Sequence, residues 1–307
     1  MPDAPAASEL LAALRAAFAG QYEVERALGA GAMGTVFLAR DTTLDRHVAI
    51  KVITPELAAT RAFRDRFLNE ARTVAKLRHP NIVAVHAAGE AAGSLYFVME
   101  YIPGESLREW IDRERGARPA RSIEILSDVA GALAYAHEHG VIHRDIKPEN
   151  VLIDGESGRA MLTDFGVASL MSQGPGEDRL TGTGMIVGSP RYMSPEQAAG
   201  ERQLDGRSDI YSMGLLGYEL FSGESAFSGT SAVSIITKQI TEKPVPLAEK
   251  ATGVAPAVAD AIDRALEKDP AIRWQSAREF GRALVDDGAG SRTARGQPAA
   301  RRRRTRL

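Results

Sequence analysis

The chain has 307 residues, of which 44% are hydrophobic, and it contains no cysteine. This length predicts one large or two small domains, at about 100 to 200 residues per domain. The lack of cysteine excludes disulfides, thiolate metal sites and a cysteine nucleophile, and it fits a cytoplasmic location. The formal net charge is −2, but it is unevenly distributed. Residues 288–307 contain seven arginines and no acid, which leaves a charge of −9 on the rest of the chain.

Residues 1–21 do not have the pattern of an export signal, because Asp3 and Glu9 stand where positive charge is required and Arg15 interrupts the apolar run. Ser8 is placed to cap a short helix. The apolar residues of that helix share one face: Leu10, Leu11, Leu14 and Phe18. We expect an N-terminal extension that packs on the main domain rather than on a membrane.

The sequence from Tyr22 to Tyr101 is typical of strands. The segments YEVERALG, GTVFLARD, HVAIKVI, NIVAVHAAGE and SLYFVMEY alternate or run apolar between glycine-rich or polar turns. One helix is predicted among them, since RAFRDRFLNEARTVAKLRH repeats apolar residues at three- and four-residue steps.

Helical periods dominate after Pro103 and Gly104. The segment IYSMGLLGYELF is too short to span a bilayer, which takes roughly 20 apolar residues, and we interpret it as a buried core helix. We therefore predict an α+β fold with a small, mostly β lobe at about 22–101 and a larger helical lobe at about 102–287. A cleft between the lobes is the expected place for a ligand.

The segment LGAGAMGTV lies between the first two predicted strands. Gly29, Gly31 and Gly34 would let backbone N–H groups approach phosphate oxygens without a Cβ in the way. A flexible hairpin would carry the same pattern. A dinucleotide-binding turn would continue into a helix after the last glycine, whereas TVFLARD continues as a strand, which favours a loop that covers a nucleotide.

Lys51 ends the apolar segment HVAIK, so a buried ammonium there requires a partner or a phosphate. Glu70, on the helix that follows, is the candidate partner, and the ion pair would aim Lys51 at the α- and β-phosphates of a nucleotide. The alternative is that both side chains are solvated.

The octet HRDIKPEN, residues 143–150, follows a predicted helix, and its proline makes it a loop. Asp145 is suited to accept the proton of an attacking hydroxyl, and Lys147 to neutralise charge on a transferred phosphoryl group. Asn150 supplies an oxygen suited to Mg²⁺. A charge cluster is usually a solvated loop, but this order of groups resembles the catalytic loop of protein kinases.

The segment TDFGVAS supplies Asp164, a carboxylate suited to Mg²⁺, beside Phe165 and Gly166. With the glycine-rich segment, Lys51, Glu70 and HRDIKPEN in this order, residues 22–287 resemble the eukaryotic-like Ser/Thr protein kinases of bacteria. The resemblance implies a bilobal kinase fold, ATP as the phosphate donor and Mg²⁺, or alternatively Mn²⁺, as the metal.

The resemblance also implies roles for individual residues. The adenine pocket would contain the gatekeeper Met99, the hinge backbone of Glu100 and Ile102, and apolar Leu28, Val36, Ala49 and Leu152. The stacked spine that links the lobes would contain Val74, Val85, His143 and Phe165. Support for the site would come from Arg144, Ser189, Glu196, Asp209 and Arg273.

Lys147 after Asp145 is the pattern of kinases that phosphorylate Ser and Thr, so the resemblance implies those hydroxyls as acceptors. The segment GSPRYMSPEQ, residues 188–197, resembles the peptide-docking shelf of protein kinases, which a small-molecule kinase would not need. Two residues depart from the family's pattern: Ser189 replaces a threonine, and Ser194 an alanine.

Three supporting contacts are expected around these residues. The Ser189 hydroxyl would bond Asp145 and Lys147, Glu196 would pair with Arg273, and Asp209 would brace the backbone of the catalytic loop. All three are structural roles that the resemblance implies.

The loop between Asp164 and Glu196 contains LTGTG. Phosphorylated Thr181 or Thr183 would pair with Arg144 and order this loop, so we expect autophosphorylation there. The alternative is that the two threonines only solvate the loop.

Residues 288–307 have the composition of a disordered tail, rich in Gly, Ala, Ser, Pro and Arg. Related bacterial kinases carry a basic juxtamembrane linker, although no apolar span follows here before Leu307. Four interpretations stay open: a truncated linker, an anchor on anionic lipid at a membrane surface, a nucleic-acid contact, or a solvated linker without a partner.

The sequence therefore predicts an enzyme that transfers the γ-phosphate of ATP to Ser/Thr hydroxyls of proteins. The alternatives are a pseudokinase scaffold and a small-molecule phosphotransferase. The first is disfavoured because every expected chemical group is present, and the second because of the docking shelf. The resemblance also permits a homodimer through the small lobe.

Overall fold

The computed structural model describes residues 4–31, 33–54, 60–114, 118–165 and 189–285. The first part contains helix α1 (Ala4–Ala17), strands β1 (Tyr22–Gly31), β2 (Gly34–Asp41) and β3 (Arg46–Ile53), helix α2 (Arg61–Val74), and strands β4 (Val85–Ala91) and β5 (Ser94–Glu100). The five strands form one antiparallel sheet in the order β1-β2-β3-β5-β4.

Side-chain alternation along β3 gives the sheet two buried faces. One face packs against α1 through a cluster that includes Leu14, Phe18, Val48, Ile50 and Val52. The other packs against α2 through Ile53, Phe63, Phe67 and Phe97. Lys51 is two residues from Ile53, so its side chain lies on the α2 face, where it is 6% exposed.

The rest of the described chain is mainly helical. Its helices are α3 (Leu107–Glu114), α4 (Pro119–Glu138), Pro195–Ala198, Gly206–Ser222, Ala232–Thr241, Leu247–Lys250, Pro256–Ala265 and Ala277–Val285. Strands β6 (Gly104–Ser106), β7 (Val151–Asp154) and β8 (Ala160–Leu162) form a small antiparallel sheet in that order. Short 3₁₀ turns cover Pro148–Asn150 and Pro190–Tyr192.

Helix Gly206–Ser222 is the centre of the large lobe, and every residue from Ser208 to Phe221 is buried. Asp205 caps its N-terminus by accepting a bond from the Arg207 N–H, and Gly223 ends it with a φ of 73°. A helix that is apolar on all sides must be buried. Across the described ranges, no helix has both the length and the apolar character needed to cross a membrane.

Two details differ from the sequence prediction. Strand β4 begins at Val85 rather than Asn81, because residues 81–83 pair instead with β8: the Val83 N–H donates to the Leu162 carbonyl at 3.0 Å, and the Leu162 N–H to the Asn81 carbonyl at 2.8 Å. The β6–β8 sheet was not predicted, since strands of three or four residues are too short for periodicity to identify. The contacts of residues 81–83 with β8 join the two lobes.

Candidate active site

Two side chains of the 143–150 loop, Lys147 and Asn150, converge on the Asp145 carboxylate. The Lys147 ammonium lies 2.6 Å from Asp145 Oδ2, and Asn150 Nδ2 donates to the same oxygen at 2.9 Å and to the Asp145 carbonyl at 2.8 Å. The amide nitrogen of Asn150 therefore faces Asp145, and its Oδ1 is directed away from it. This arrangement fixes Asp145 while keeping an amide oxygen for another partner.

The backbone of the loop is held by Asp209, which is 1% exposed. Its Oδ2 accepts from the His143 N–H and from His137 Nε2, both at 2.8 Å, and its Oδ1 accepts from the Arg144 N–H at 2.8 Å. Burial raises the pKa of Asp209, but the hydrogen bond and charge of His137 outweigh that effect and hold the pKa below its ordinary value. Asp209 is thus an ionised anchor for the loop.

Two contacts in this frame were missed from the sequence. His137 stabilises the Asp209 carboxylate, and Gln197 Nε2 donates to the Arg144 carbonyl at 2.8 Å, which ties the 188–197 segment to the loop. Arg144 has a φ of 68°, a conformation that costs about 1–3 kcal/mol in non-glycine residues and persists only where its surroundings impose it. The sequence signal was that both are polar: His137 precedes the 143–150 loop, and Gln197 ends the 188–197 segment.

Lys51 lies against Asp164, with its Nζ 2.6 Å from Asp164 Oδ2. Burial raises the pKa of Asp164, but the adjacent Lys51 ammonium outweighs it and holds the pKa below its ordinary value. Asp164 also has a φ of 66°. The carboxylate is therefore ionised and aimed at the face of β3 that carries Lys51.

The expected ion pair between Lys51 and Glu70 is not formed among the described residues, where Lys51 pairs with Asp164. Glu70 is half-buried on α2. Its burial raises the pKa of the carboxyl, and the positive charge of Arg144 partly opposes that shift. The backbone of Asp164, with a φ of 66°, places its carboxylate against the Lys51 ammonium.

The spine residues come together around His143, which is fully buried. Its Nε2 faces the Thr163 carbonyl at 2.8 Å and its Nδ1 accepts from the Asp145 N–H at 3.2 Å, so the proton lies on Nε2. The rings of His143 and Phe165 are 4.6 Å apart. Val74 and Phe165 belong to one buried cluster, and Val85 packs against it.

An apolar cluster lies at the junction of the lobes, on the same face of β3 as Lys51. Its buried members are Ala49, Val83, Met99 and Met161, and Val36, Ile102 and Leu152 pack against them. Leu28 is 38% exposed. Five of the predicted adenine-pocket residues are thus together, while Val83 and Met161 were missed because neither lies in a recognisable motif. The Glu100 N–H is taken by the Ala84 carbonyl at 2.9 Å, which leaves only its carbonyl for a base.

The three glycines of the first hairpin have different environments. Gly34 has a φ of 146°, and a Cβ there would collide with the Val52 carbonyl, so β2 and β3 require glycine. A Cβ on Gly29 or Gly31 would meet nothing within 4 Å. The protein itself therefore has no packing reason for glycine at Gly29 and Gly31.

The 189–197 segment is anchored by a buried ion pair. Arg273 Nη1 and Nη2 donate to the two Glu196 oxygens at 2.7 and 2.8 Å, and Ser208 Oγ donates to Glu196 at 2.6 Å. Burial raises the pKa of Glu196, but the Arg273 bonds and charge outweigh it, so the pKa lies below its ordinary value.

The two serines that depart from the family's pattern behave differently. Ser194 caps helix Pro195–Ala198 in a capping box with Gln197, which gives its hydroxyl a structural use. The expected bonds from the Ser189 hydroxyl to Asp145 and Lys147 are not formed within the described residues, where the Asp145 carboxylate binds Lys147 and Asn150. Ser189 instead accepts the Tyr192 N–H at its carbonyl, at 3.0 Å.

Several predicted features lie outside the described residues: Gly166, Thr181, Thr183, Gly188 and the tail at 288–307. Among the residues that the structure does describe, no group of three or more His, Asp or Glu side chains is arranged to hold a metal ion by itself. Asn150 and Asp164 are the oxygen ligands that the sequence predicts.

The chain is similar in sequence to known protein kinases. The family model for the protein kinase domain matches residues 22–282. The serine/threonine-protein kinase PknB of Mycolicibacterium smegmatis is 40% identical over 269 residues, which cover 86% of this chain and 42% of PknB. The serine/threonine-protein kinase PknJ of Mycobacterium tuberculosis is 40% identical over 273 residues, which cover 87% of this chain and 45% of PknJ.

Among solved structures, the PknI kinase domain of Mycobacterium tuberculosis superposes with a TM-score of 0.69 at 33% identity, covering 87% of this chain and 96% of that domain. The structure has two lobes around a cleft, with Lys51 on β3 on one side and Asp145, Lys147 and Asn150 on the other. This arrangement defines the protein kinase fold. The chain belongs to the protein kinase domain family, which confirms the predicted fold and the resemblance to bacterial Ser/Thr kinases. Membership implies use of ATP and a divalent metal ion. The chain spans about 42% of the length of the PknB relatives it matches.

Proposed function

We propose that this protein transfers the γ-phosphate of ATP to serine and threonine hydroxyls of proteins. The observation that carries the proposal is the Asp145 carboxylate, held by Lys147 at 2.6 Å and Asn150 at 2.9 Å on a backbone fixed by Asp209. A cluster of merely solvated charges would not need a buried carboxylate such as Asp209 to fix its backbone. The names of the relatives support the same activity.

In the proposed reaction the hydroxyl oxygen of the acceptor forms a bond to the γ-phosphorus, and the bond between that phosphorus and the β–γ bridging oxygen breaks. Asp145 accepts the hydroxyl proton, and ADP leaves with the bonding electrons. Lys147 opposes the negative charge that spreads over the transferred group. Lys51 is positioned on the cleft side of β3 to bind nucleotide phosphates.

The residues of the cleft fit the nucleotide and the metal that the family implies. The apolar cluster at Ala49, Met99 and Met161 suits a purine, and Gly29 and Gly31 leave room that a Cβ would occupy. We propose Mg²⁺ as the metal, with Mn²⁺ as an alternative, because Asn150 and Asp164 offer hard oxygen donors and Mg²⁺ takes few protein ligands beside phosphates. When bound, the metal neutralises phosphate charge.

The test is phosphate transfer from labelled ATP to a generic Ser/Thr protein, with wild type beside Asp145→Asn and Lys51→Met. We expect wild type to label the substrate and each variant to lose most of the rate, because removing a general base alone costs roughly 10²–10⁴-fold. Arg113→Ala, an exposed change on α3, is the matched control and keeps wild-type turnover. A wild-type protein that binds ATP without any transfer would establish the pseudokinase alternative.

We further propose that Thr181 and Thr183 are autophosphorylated. The proposal rests on the LTGTG pattern and on Arg144, whose guanidinium adjoins the catalytic loop and carries the charge that a phosphate would need. Mass spectrometry after incubation with ATP should find phosphate on this segment. Replacing both threonines by alanine should remove that signal and most of the activity; unchanged turnover would contradict the proposal.

For residues 288–307 we propose a basic linker whose partner, where it has one, is an anionic membrane surface or nucleic acid. Its support is the charge of seven arginines without an acid. Binding to anionic vesicles or to DNA should weaken steeply with salt and disappear when residues 291–307 are deleted. Absence of binding to either would leave the solvated linker.

We also propose that self-association, where it occurs, uses the small lobe, as the resemblance implies. The face of the sheet opposite α2 is covered by α1 through Leu14 and Phe18, so a dimer contact would involve α1 or the strand edges. Sedimentation at micromolar concentrations, with and without residues 1–19, tests this proposal.

A further inference from the structure

The short 3₁₀ turn in the proposed docking shelf has all three of its carbonyls bonded to buried side chains of the large lobe. Gln239 Nε2 donates to the carbonyls of Pro190 and Arg191, at 3.4 and 3.0 Å. Ser212 Oγ donates to the Tyr192 carbonyl at 2.7 Å. The position of this turn is therefore imposed by two side chains, and Gln239 bonds two of its three carbonyls.

Gln239 lies on helix Ala232–Thr241, and its side chain is 0% exposed. Ile235, one helical turn earlier, is buried on the same face. A buried amide is costly unless its polar atoms are hydrogen-bonded. The Gln239 amide meets this requirement, because its Oε1 accepts from the Tyr211 hydroxyl at 2.8 Å while its Nε2 bonds the turn.

The orientation of this amide is set by Lys268. Lys268 Nζ donates to the Tyr211 hydroxyl and to the Gln239 carbonyl, both at 2.7 Å. An ammonium group can only donate, so the Tyr211 oxygen accepts and its single proton is directed to Gln239 Oε1. Nε2 must then face the carbonyls of the turn. The chain of hydrogen bonds thus begins at Lys268 and ends at the docking shelf.

Lys268 is partly buried beside aromatic rings. Its Nζ lies 4.4 Å from the ring centre of Phe227 and 5.2 Å from that of Tyr211, within the range of a cation–π contact. Burial lowers the pKa of Lys268 to about 8. Four charged side chains also act on this pKa, the first two lowering it and the last two raising it: Arg273, Lys243, Glu242 and Glu267. Burial raises the pKa of Tyr211, so its hydroxyl keeps its proton.

We propose that Lys268 and Gln239 are positioning residues for protein phosphorylation: through Tyr211 they hold the turn of the docking shelf where it receives the substrate peptide. This inference rests on the proposed function, since a docking shelf is needed only when the acceptor is a peptide. The proton acceptor Asp145 is held by other side chains of its own loop, and the apolar cluster for the base is formed by other residues. Loss of the chain should therefore change the KM for peptide and leave the KM for ATP.

Deprotonation of Lys268 should release the orientation of the Gln239 amide. A neutral amine accepts as well as donates, so the Tyr211 proton can turn to Lys268 and leave Gln239 Oε1 without its donor. The amide can then rotate away from the turn. The KM for peptide should rise as the pH rises through about 8. Lys268→Arg should not show this rise, because a guanidinium stays charged and donates only.

The experiment compares wild type, Lys268→Arg, Lys268→Met, Gln239→Glu and Lys250→Met. Gln239→Glu keeps the size of the side chain but replaces the donor that faces the turn with an acceptor. Lys250 is the matched control, because it is 43% exposed and pairs with Glu224. The substrates are ATP and a generic Ser peptide. The readouts are the KM for peptide, the KM for ATP and kcat, on both sides of pH 8.

Lys268→Met and Gln239→Glu should each raise the KM for peptide by about tenfold, the effect of a lost buried hydrogen bond. Their KM for ATP should equal that of wild type and of Lys250→Met. Above pH 8 the KM for peptide should rise in wild type and stay level in Lys268→Arg. A wild-type KM for peptide in both Lys268→Met and Gln239→Glu would overturn the proposal, as would an equal rise in the KM for ATP or the same pH profile in Lys268→Arg.

The thermal midpoint of each variant is measured first, because Gln239→Glu buries a carboxylate. Should it not fold, Gln239→Met, which has no charge and no donor, takes its place. Hydrogen exchange of the amides in residues 189–197 gives a readout that needs no phosphate transfer. Exchange should be about tenfold faster in Lys268→Met than in Lys250→Met, since the lost bonds favour local opening; equal exchange would contradict the positioning role. An inactive wild type would refute the proposed function, while exchange would still decide whether Lys268 and Gln239 hold the turn.

Discussion

At the scale of single residues, Arg273 illustrates how a buried charge is retained. It is fully buried, and its five N–H groups have five acceptors: two Glu196 oxygens and the carbonyls of Arg207, Glu267 and Lys268. A buried ion pair contributes little net stability compared with apolar residues, but loss of one partner is severe because the other charge stays buried.

We therefore expect Arg273→Met to lower the free energy of unfolding by about 3–5 kcal/mol, measured as a shift in the urea midpoint. Arg278→Ala, which breaks the exposed pair with Glu138, should cost less than about 1 kcal/mol. Arg273→Met/Glu196→Gln should recover part of the loss. Equal midpoints for Arg273→Met and Arg278→Ala would show that leaving the Glu196 charge buried without Arg273 does not destabilise the fold.

The same pair predicts how stability depends on pH. The pKa of Glu196 is lower in the folded protein than its ordinary value of 4.5, so the unfolded state binds this proton more readily. Its contribution is present above about pH 4.5 and is lost as the pH falls through the folded pKa. The melting midpoint of wild type should fall more steeply below pH 5 than that of Arg273→Met/Glu196→Gln; parallel curves would contradict this.

At the scale of elements, the β1–β2 hairpin contains two kinds of glycine. At one position packing requires glycine, and at the others a Cβ would meet no neighbouring atom. Gly34 is required where β2 approaches β3, whereas Gly29 and Gly31 have open surroundings. For helix α1 the sequence predicts a helix that packs on the main domain, and the structure shows the surface that it contacts: Leu14 and Phe18 pack on the face of the sheet opposite α2.

Gly34→Ala should lower the melting midpoint strongly, because its Cβ would collide with the Val52 carbonyl and alanine is strained at a φ of 146°. Gly29→Ala, the matched change on the same hairpin, should leave the midpoint within about 2 °C, since surface changes are usually within ±0.5 kcal/mol. It should instead raise the KM for ATP. Similar midpoints for the two variants would refute this division.

At the scale of the whole molecule, polar contacts among the described residues join the two lobes. Asn81 Nδ2 donates to the Ala160 carbonyl at 2.9 Å, and Lys51 reaches Asp164 across the cleft. A ligand that touches both lobes should therefore stabilise the entire fold by mass action.

ATP with Mg²⁺ at 100 times its dissociation constant should stabilise the folded state by about 2.7 kcal/mol, observed as a higher melting midpoint. Asp145→Asn should keep this shift, because it removes the proton acceptor and no predicted metal ligand. Asp164→Asn should lose the metal-dependent part. A wild-type midpoint that does not respond to ATP and Mg²⁺ would argue against the proposed nucleotide site.

The sequence by itself determined the order of the motifs, the strands and helices that follow from periodicity, and the buried Gly206–Ser222 helix. These features depend on local patterns of residue type, which can be identified without knowing the tertiary contacts. The choice of Asp164 over Glu70 as the partner of Lys51 was decided only by the tertiary structure, as were the His137 and Gln197 contacts to the catalytic loop. Each joins residues at least 50 positions apart. Local sequence cannot encode which of several like charges the packed lobes bring within hydrogen-bonding distance.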